Sequence, residues 1–128
     1  MSDYIETVVL DHTCLVALYE GDAFFTGLYI EASHQRGRIL VPSLCVLAAD
    51  RLKPGCGAYA AGLRYAEGVP FTTAHAMEAV SWPRAEHAVA HAAAVAWQMA
   101  TAGEPVTVLS LRDEAYRFTS MQALNPYE

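Results

Sequence analysis

Asp11 is the residue of this 128-residue chain that is best placed to do chemistry, because it directly follows the apolar run TVVL at residues 7–10. That run is β-branched and aliphatic without alternation, which is typical of a strand buried on both faces of a parallel sheet. Asp11 then falls at the carboxyl end of a central strand, where open α/β sheets bind their ligands. The alternative interpretation is that Asp11 or His12 caps the following helix.

Two histidines form the second group that could do chemistry. His87 and His91 are four positions apart on a predicted helix, so both imidazoles lie on one face, next to Glu86. Such a pair can bind zinc, although the sequence offers no assignable third ligand. The other interpretation is that these histidines cap a helix or lie at an interface. The chain contains no P-loop, GxGxxG or GxSxG motif, so the common phosphate-binding loops are not predicted.

The elements that position these residues alternate between strands and helices. Strands are predicted at residues 7–10, 38–41, 69–73 and 106–109, with an edge strand in 121–126. The predicted helix N-caps are Thr13, Asp22, Ser43 and Ser110. The strongest helix spans residues 86–102 and is rich in alanine. The alternation predicts a three-layer α/β/α fold with a parallel sheet of four to five strands, in one domain covering residues 1–128.

Charge and cysteine content limit the class of protein. The net charge of −6, with eight Lys and Arg, argues against broad electrostatic binding of nucleic acid. The three cysteines are an odd number without a CxxC pair, which favours a reducing compartment. The chain has no apolar run long enough to span a membrane, and its start, MSDYIE, lacks a basic segment typical of a secretory signal. We therefore predict a cytoplasmic protein.

The apolar content predicts self-association. Hydrophobic residues make up 54% of the chain and charged residues only 17%. Helices rich in Phe, Tyr and Ala carry more hydrophobic surface than one small sheet can cover. We therefore predict a homodimer.

Four stretches of the sequence resemble the PIN-domain family, small metal-dependent ribonuclease folds that include many toxins of toxin–antitoxin pairs. The stretches are VVLDHTCLVAL, RILVPSLCVLAADR, AEHAVAHAAAVAWQMATAGEPVTVLS, and the closing LRDEAYR with LNP. The resemblance covers nearly the whole chain. It implies a PIN-like fold and an acidic site that holds Mg²⁺ or Mn²⁺ for RNA hydrolysis. It also implies a small antitoxin-like protein as the alternative partner to a second copy of the chain.

The acidic site implied by this resemblance is incomplete. Asp11 matches the first acidic position of the family. In the helix after the proline turn, Ala48 and Ala49 occupy the expected acidic position, which leaves Asp50 as the nearest substitute. A one-residue shift along a helix rotates a side chain by about 100°, so Asp50 converges with Asp11 only if the backbone compensates.

The remaining two acidic positions also depart from the family pattern. Glu86 stands where an aspartate is expected at the start of the long helix, and Arg112 stands after the last strand with Asp113 beside it. The resemblance thus implies three sets of site residues. They are the catalytic residues Asp11, Glu86 and Asp50, the metal ligands Asp11, Asp50, Glu86 and Asp113, and the substrate-binding residues Thr13, Ser110 and Arg112.

Two functions follow from this site. The first is a PIN-like domain with weak or absent Mg²⁺-dependent RNA hydrolysis, which acts through contacts with protein or nucleic acid. The alternative is an active Mg²⁺- or Mn²⁺-dependent ribonuclease, the toxin of a toxin–antitoxin pair. The number of carboxylates that surround Asp11 separates the two.

Overall fold

Strand β1 lies at the centre of the fold in the computed structural model, which describes residues 6–128. The strands are β1 Thr7–Leu10, β2 Arg38–Pro42, β3 Glu67–Val69, β4 Thr107–Leu109 and β5 Ala123–Leu124. The helices are α1 His12–Tyr19, α2 Ala23–Ser33, α3 Ser43–Leu52, α4 Cys56–Ala61, α5 Thr73–Val80 and α6 His87–Thr101, followed by a 3₁₀ helix at Asp113–Phe118. The strands form one all-parallel sheet in the order β3-β2-β1-β4-β5. The predicted three-layer α/β/α class is therefore confirmed.

The neighbours of β1 fix where the candidate site lies. Val9 pairs with a residue of β2 on one side and of β4 on the other, both in parallel. Val9 and Leu10 are fully buried, as the unbroken apolar run predicted. Because all five strands run the same way, their carboxyl ends meet at one edge of the sheet. Asp11 lies at that edge, immediately after Leu10.

Helix α6 packs against β1, β2 and β4 through small side chains. Ala92, Ala93, Ala94 and Ala96 are completely buried. Alanine has the highest helix propensity and its short side chain lets the helix approach the sheet closely. The predicted long helix is thus confirmed, and it brings its N-terminal end to the edge of the sheet that carries Asp11.

The third strand lies earlier in the chain than predicted. It covers only Glu67–Val69, and Pro70 follows it instead of lying within it. Proline has no N–H to donate to a ladder, so parallel pairing with β2 ends there. Helix α4, which precedes this strand, ends at Ala61 with Gly62 as its C-cap.

The helix caps were predicted with mixed success. Asp22 caps α2 as predicted. At α3 the N-cap is Pro42, whereas Ser43 is already helical and gives no side-chain cap. The last short helix begins after Arg112, and Ser110 lies two residues too early to cap it. The cap residues found there, Pro42 and Arg112, make no side-chain hydrogen bond to the helix, so they lack the acceptor that sequence reasoning looks for.

The three cysteines are buried and free, as expected of small core side chains. Burial raises the pKa of the Cys14 and Cys45 thiols, which keeps them protonated and unreactive. Among residues 6–128, no helix is both long and apolar enough to cross a membrane.

Candidate functional site

The Asp11 carboxylate is buried and fully engaged within the protein. Its Oδ1 accepts hydrogen bonds from the backbone N–H groups of Thr13 and Cys14, at 3.0 and 3.3 Å, and from the Thr13 hydroxyl. Its Oδ2 accepts from the Tyr116 hydroxyl at 2.8 Å. Asp11 has no exposed surface. Three of these bonds go to Oδ1 and one to Oδ2, so both carboxylate oxygens are held by donors of the protein itself.

This geometry makes Asp11 the N-cap of α1. The prediction that Thr13 caps this helix is wrong, because Thr13 lies inside the first turn and donates to the cap instead. An aspartate at an N-cap satisfies backbone N–H groups that have no partner within the helix and interacts favourably with the helix dipole. The capping interpretation of Asp11 therefore holds.

Two hydroxyl groups predicted to bind substrate extend this network. The Thr13 hydroxyl donates to Asp11 and accepts from the N–H of Leu111 at 2.9 Å. The Ser110 hydroxyl accepts from the N–H of Arg112 at 3.0 Å and lies 3.5 Å from the Thr13 hydroxyl. These contacts join the loop after β4 to the start of α1. Both hydroxyls lie beside Asp11 and both have internal partners.

Tyr116 is the residue of this site that sequence reasoning missed. It lies on the 3₁₀ helix, 105 positions from Asp11, and only 1% of its surface is exposed. Burial and the neighbouring Asp11 raise the pKa of the Tyr116 hydroxyl, so it remains a proton donor to the carboxylate. A buried tyrosine needs a partner for its hydroxyl, but the sequence does not say which one.

Glu86 and Arg112 approach Asp11 as predicted. Together with His12 they line a small space next to the aspartate. That space has no room for a water molecule. Glu86 is the N-cap residue of α6, and Arg112 is exposed, with its Nε 3.7 Å from Glu114. The structure therefore brings Asp11, Glu86 and Arg112 together around one small space.

Asp50 and Asp113 are not part of that lining. The Asp50 Oδ1 accepts from the N–H groups of Gly55 and Gly57, both at 3.0 Å, and so holds the turn between α3 and α4. Gly57 has to be glycine there, because a Cβ would lie 2.9 Å from the Asp50 Cβ. Asp113 lines a separate polar cavity.

The described residues do not fit a Mg²⁺ or Mn²⁺ ion held by the predicted carboxylates. Mg²⁺ prefers six oxygen ligands in near-octahedral geometry and usually keeps several waters. Both oxygens of the buried Asp11 already accept hydrogen bonds from the protein, and the space between it and Glu86 admits no water. Among residues 6–128, no three His, Cys, Asp or Glu side chains are grouped in a way that could hold a metal.

The side chain of His91, on α6, caps the N-terminus of another helix, α3. Its Nδ1 accepts from the N–H of Leu44 in the first turn of α3, at 3.3 Å, where Pro42 gives no side-chain cap. His91 is completely buried, and the rings of Phe71 and His75 each lie 4.9 Å from its ring centre. Burial, helped by His75, lowers the pKa of His91 to about 4. The Nδ1 of His91 is therefore engaged in capping α3, which is the predicted alternative to zinc binding.

An apolar surface lies next to His91. We define the α5 face as the exposed Met77 and Val80 with the groove beside them. The groove has a volume of about 290 Å³. Its lining is Leu44, Phe71, Ala76, Ala79, Val80, Trp82, Pro83, Ala85, His87 and Ala90. Met77 and Val80 are 65% and 71% exposed, the highest values among the exposed large hydrophobic side chains of residues 6–128.

Comparison with known proteins leaves the site to be interpreted from its geometry. No protein-family model matches the chain, and no curated protein matches it significantly.

Proposed function

We propose that this chain is a PIN-like domain that hydrolyses RNA weakly or not at all and acts by binding other molecules. The observation that carries this proposal is the state of Asp11. Its carboxylate is buried and accepts four hydrogen bonds from the protein itself. A metal ion at Asp11 would have to displace the Tyr116 hydroxyl or the helix cap. The carboxylate therefore stabilises the fold in place of binding a catalytic ion.

The charges around Asp11 support the same proposal. Arg112 and Glu86 line the space beside the aspartate. The fixed positive charge of Arg112 repels a divalent cation but attracts a phosphate group. The resemblance of the chain to PIN domains, with Asp11 at the end of β1, supports the proposal of a PIN-like domain. The altered acidic positions support the proposal that RNA hydrolysis is weak or absent.

RNA cleavage tests this proposal. We expect the native chain to cleave a mixed pool of single-stranded RNA in millimolar Mg²⁺ or Mn²⁺ no faster than Asp11→Asn does. The matched control is Asp22→Asn, which changes an exposed N-cap carboxylate of α2. Robust turnover that is lost in Asp11→Asn and kept in Asp22→Asn would establish the alternative, an active metal-dependent ribonuclease of the toxin type.

The α5 face suggests a second copy of the chain as binding partner. The exposed Val80 and Met77 lie next to a groove whose lining contains no Asp, Glu, Lys or Arg. In a twofold dimer the same patch meets itself, so the protruding side chains of one copy can enter the groove of the other. Burying these side chains removes apolar surface from water, which is worth about 25 cal/mol per Å².

Light scattering tests this dimer. We expect native protein at high micromolar concentration to have twice the monomer mass, and Val80→Glu to be monomeric, because the dimer would bury the new carboxylate without a partner. Ile30→Glu is the control, since Ile30 is 50% exposed on α2, away from the α5 face. A native monomer would rule out self-association and leave the α5 face to a different protein, such as an antitoxin-like partner.

A further inference from the structure

Two arginines from separate segments share one aromatic ring. The guanidinium carbon of Arg84 lies 4.6 Å from the ring centre of Phe118, and that of Arg117 lies 4.8 Å from it. Both arginines are exposed and Phe118 is half-buried. An arginine that stacks on a ring keeps the N–H groups at its edge available for a planar anion such as phosphate. Both guanidinium carbons therefore lie within 5 Å of the same ring centre.

These two arginines have no ionic partner within residues 6–128. Neither Arg84 nor Arg117 forms an ion pair with a described carboxylate, although half of the chain's eight basic residues do. The paired residues are Arg36, Arg38, Lys53 and Arg112. A hydrogen bond of 3.1 Å from the Trp82 indole N–H to the Ser120 hydroxyl ties the two segments together. The arginine pair is thus positioned by the fold.

A polar cavity of about 540 Å³ adjoins Arg117. Ser120 and Gln122 line it and offer hydrogen-bond donors, since the Ser120 hydroxyl accepts from Trp82 and keeps its own hydrogen free. Asp113 lines the same cavity and offers an acceptor. The cavity therefore suits a ligand with a phosphate at one end and hydroxyl or amino donors at the other. Its volume lies in the range of small-molecule sites.

The surrounding charge favours one phosphate over a long polyanion. The three arginines of this region, Arg84, Arg112 and Arg117, are balanced in number by Glu86, Asp113 and Glu114. The chain as a whole carries a net charge of −6. A polyanion needs a positive surface over several phosphates, whereas a single phosphate needs only local donors.

We propose that Arg84 and Arg117 bind the phosphate group of a nucleotide-sized ligand that occupies this cavity. The ligand is a phosphate ester with hydroxyl groups, either a free nucleoside monophosphate or the phosphorylated end of an RNA. This site adjoins the Asp11 carboxylate without including it, because Tyr116, which donates to Asp11, also lines the cavity. The proposal does not depend on whether Asp11 supports hydrolysis.

The site is tested by titrating the full chain with adenosine 5′-monophosphate. Binding is measured by calorimetry and by the NMR signals of the arginine Nε–H groups. We expect saturable binding that shifts the Arg84 and Arg117 signals and the Trp82 indole signal. Inorganic phosphate should bind the same place at least tenfold more weakly, and adenosine should not bind. Arg84→Gln and Arg117→Gln should each weaken binding at least tenfold.

Arg64→Gln is the matched control, because Arg64 also lies near an aromatic ring, that of Tyr65. The substitution removes the same charge at a different place. It should bind like the native chain, and all variants should unfold at similar temperatures. Equal losses in Arg64→Gln, or shifts spread over every arginine, would mean unspecific ion binding and overturn the proposal. A 5′-phosphorylated trinucleotide that binds no tighter than the monophosphate supports a free nucleotide. One that binds tenfold tighter assigns the site to an RNA end.

Discussion

Asp11→Ala is expected to lower the free energy of unfolding by about 3 kcal/mol in the absence of metal. Loss of the N-cap of α1 accounts for about 1 kcal/mol. The rest comes from the Tyr116 hydroxyl, which is buried and would lose its acceptor, at a cost of about 2 kcal/mol. Urea unfolding in excess EDTA, followed by circular dichroism, measures this change.

Three variants show whether the loss has this origin. Asp11→Asn keeps an oxygen that can accept from Thr13 and Cys14, so it should cost only about 1 kcal/mol. Asp22→Ala removes an exposed cap and should likewise cost about 1 kcal/mol. Tyr116→Phe should be destabilising, because it leaves the Asp11 Oδ2 buried without a donor. If Asp11→Ala is as stable as the native chain, the carboxylate is not a structural group.

Acidification from pH 7 to pH 4 is expected to remove about 3 kcal/mol of stability through His91. The pKa of His91 is lowered from 6.5 to about 4 by burial, so the folded chain holds it neutral while the unfolded chain takes up a proton. The unfolded state therefore gains protons first as the pH falls. This loss of stability is small above pH 6.5, grows as the pH falls below 6.5, and is nearly complete at pH 4. Burial also lowers the pKa of His75, which acts in the same direction.

His91→Asn separates this effect from general acid unfolding. The asparagine oxygen can still accept from the Leu44 N–H but does not titrate in this range. The variant should be less stable at pH 7, because the lost ring leaves space beside Phe71. Its stability should nevertheless fall less steeply between pH 6.5 and pH 4. His34→Asn, at an exposed position, should follow the native slope. An unchanged slope in His91→Asn would show that His91 is not the titrating group.

The elements defined by local pattern could be predicted from the sequence. The unbroken apolar run of β1 and the alanine-rich stretch of α6 carry their own signals, because burial on two faces and helix propensity depend on neighbouring residues. Asp11 was placed correctly at the carboxyl edge of the sheet for the same reason. The short β3 starts two residues and ends four residues before the predicted range of 69–73, since Pro70 marks a strand end as readily as a strand start.

The partners of the site residues could not be predicted. The contacts of Asp11 with Tyr116 and of Leu44 with His91 join residues 105 and 47 positions apart. Sequence spacing carries no information about such contacts until the chain is folded. The role of Asp50 could not be predicted either. Its side chain accepts from the N–H groups of Gly55 and Gly57, and the sequence spacing does not reveal the backbone geometry of that turn.

Unfolding of the native chain with and without 10 mM MnCl₂ most directly tests whether Asp11 is a structural group or a metal ligand. A folded-state site with a dissociation constant of 100 μM would add about 2.7 kcal/mol at this concentration. We predict the same free energy of unfolding in EDTA and in Mn²⁺, for the native chain and for Asp11→Asn alike. A gain of about 2 kcal/mol or more in the native chain that disappears in Asp11→Asn would contradict this prediction and make Asp11 a metal ligand.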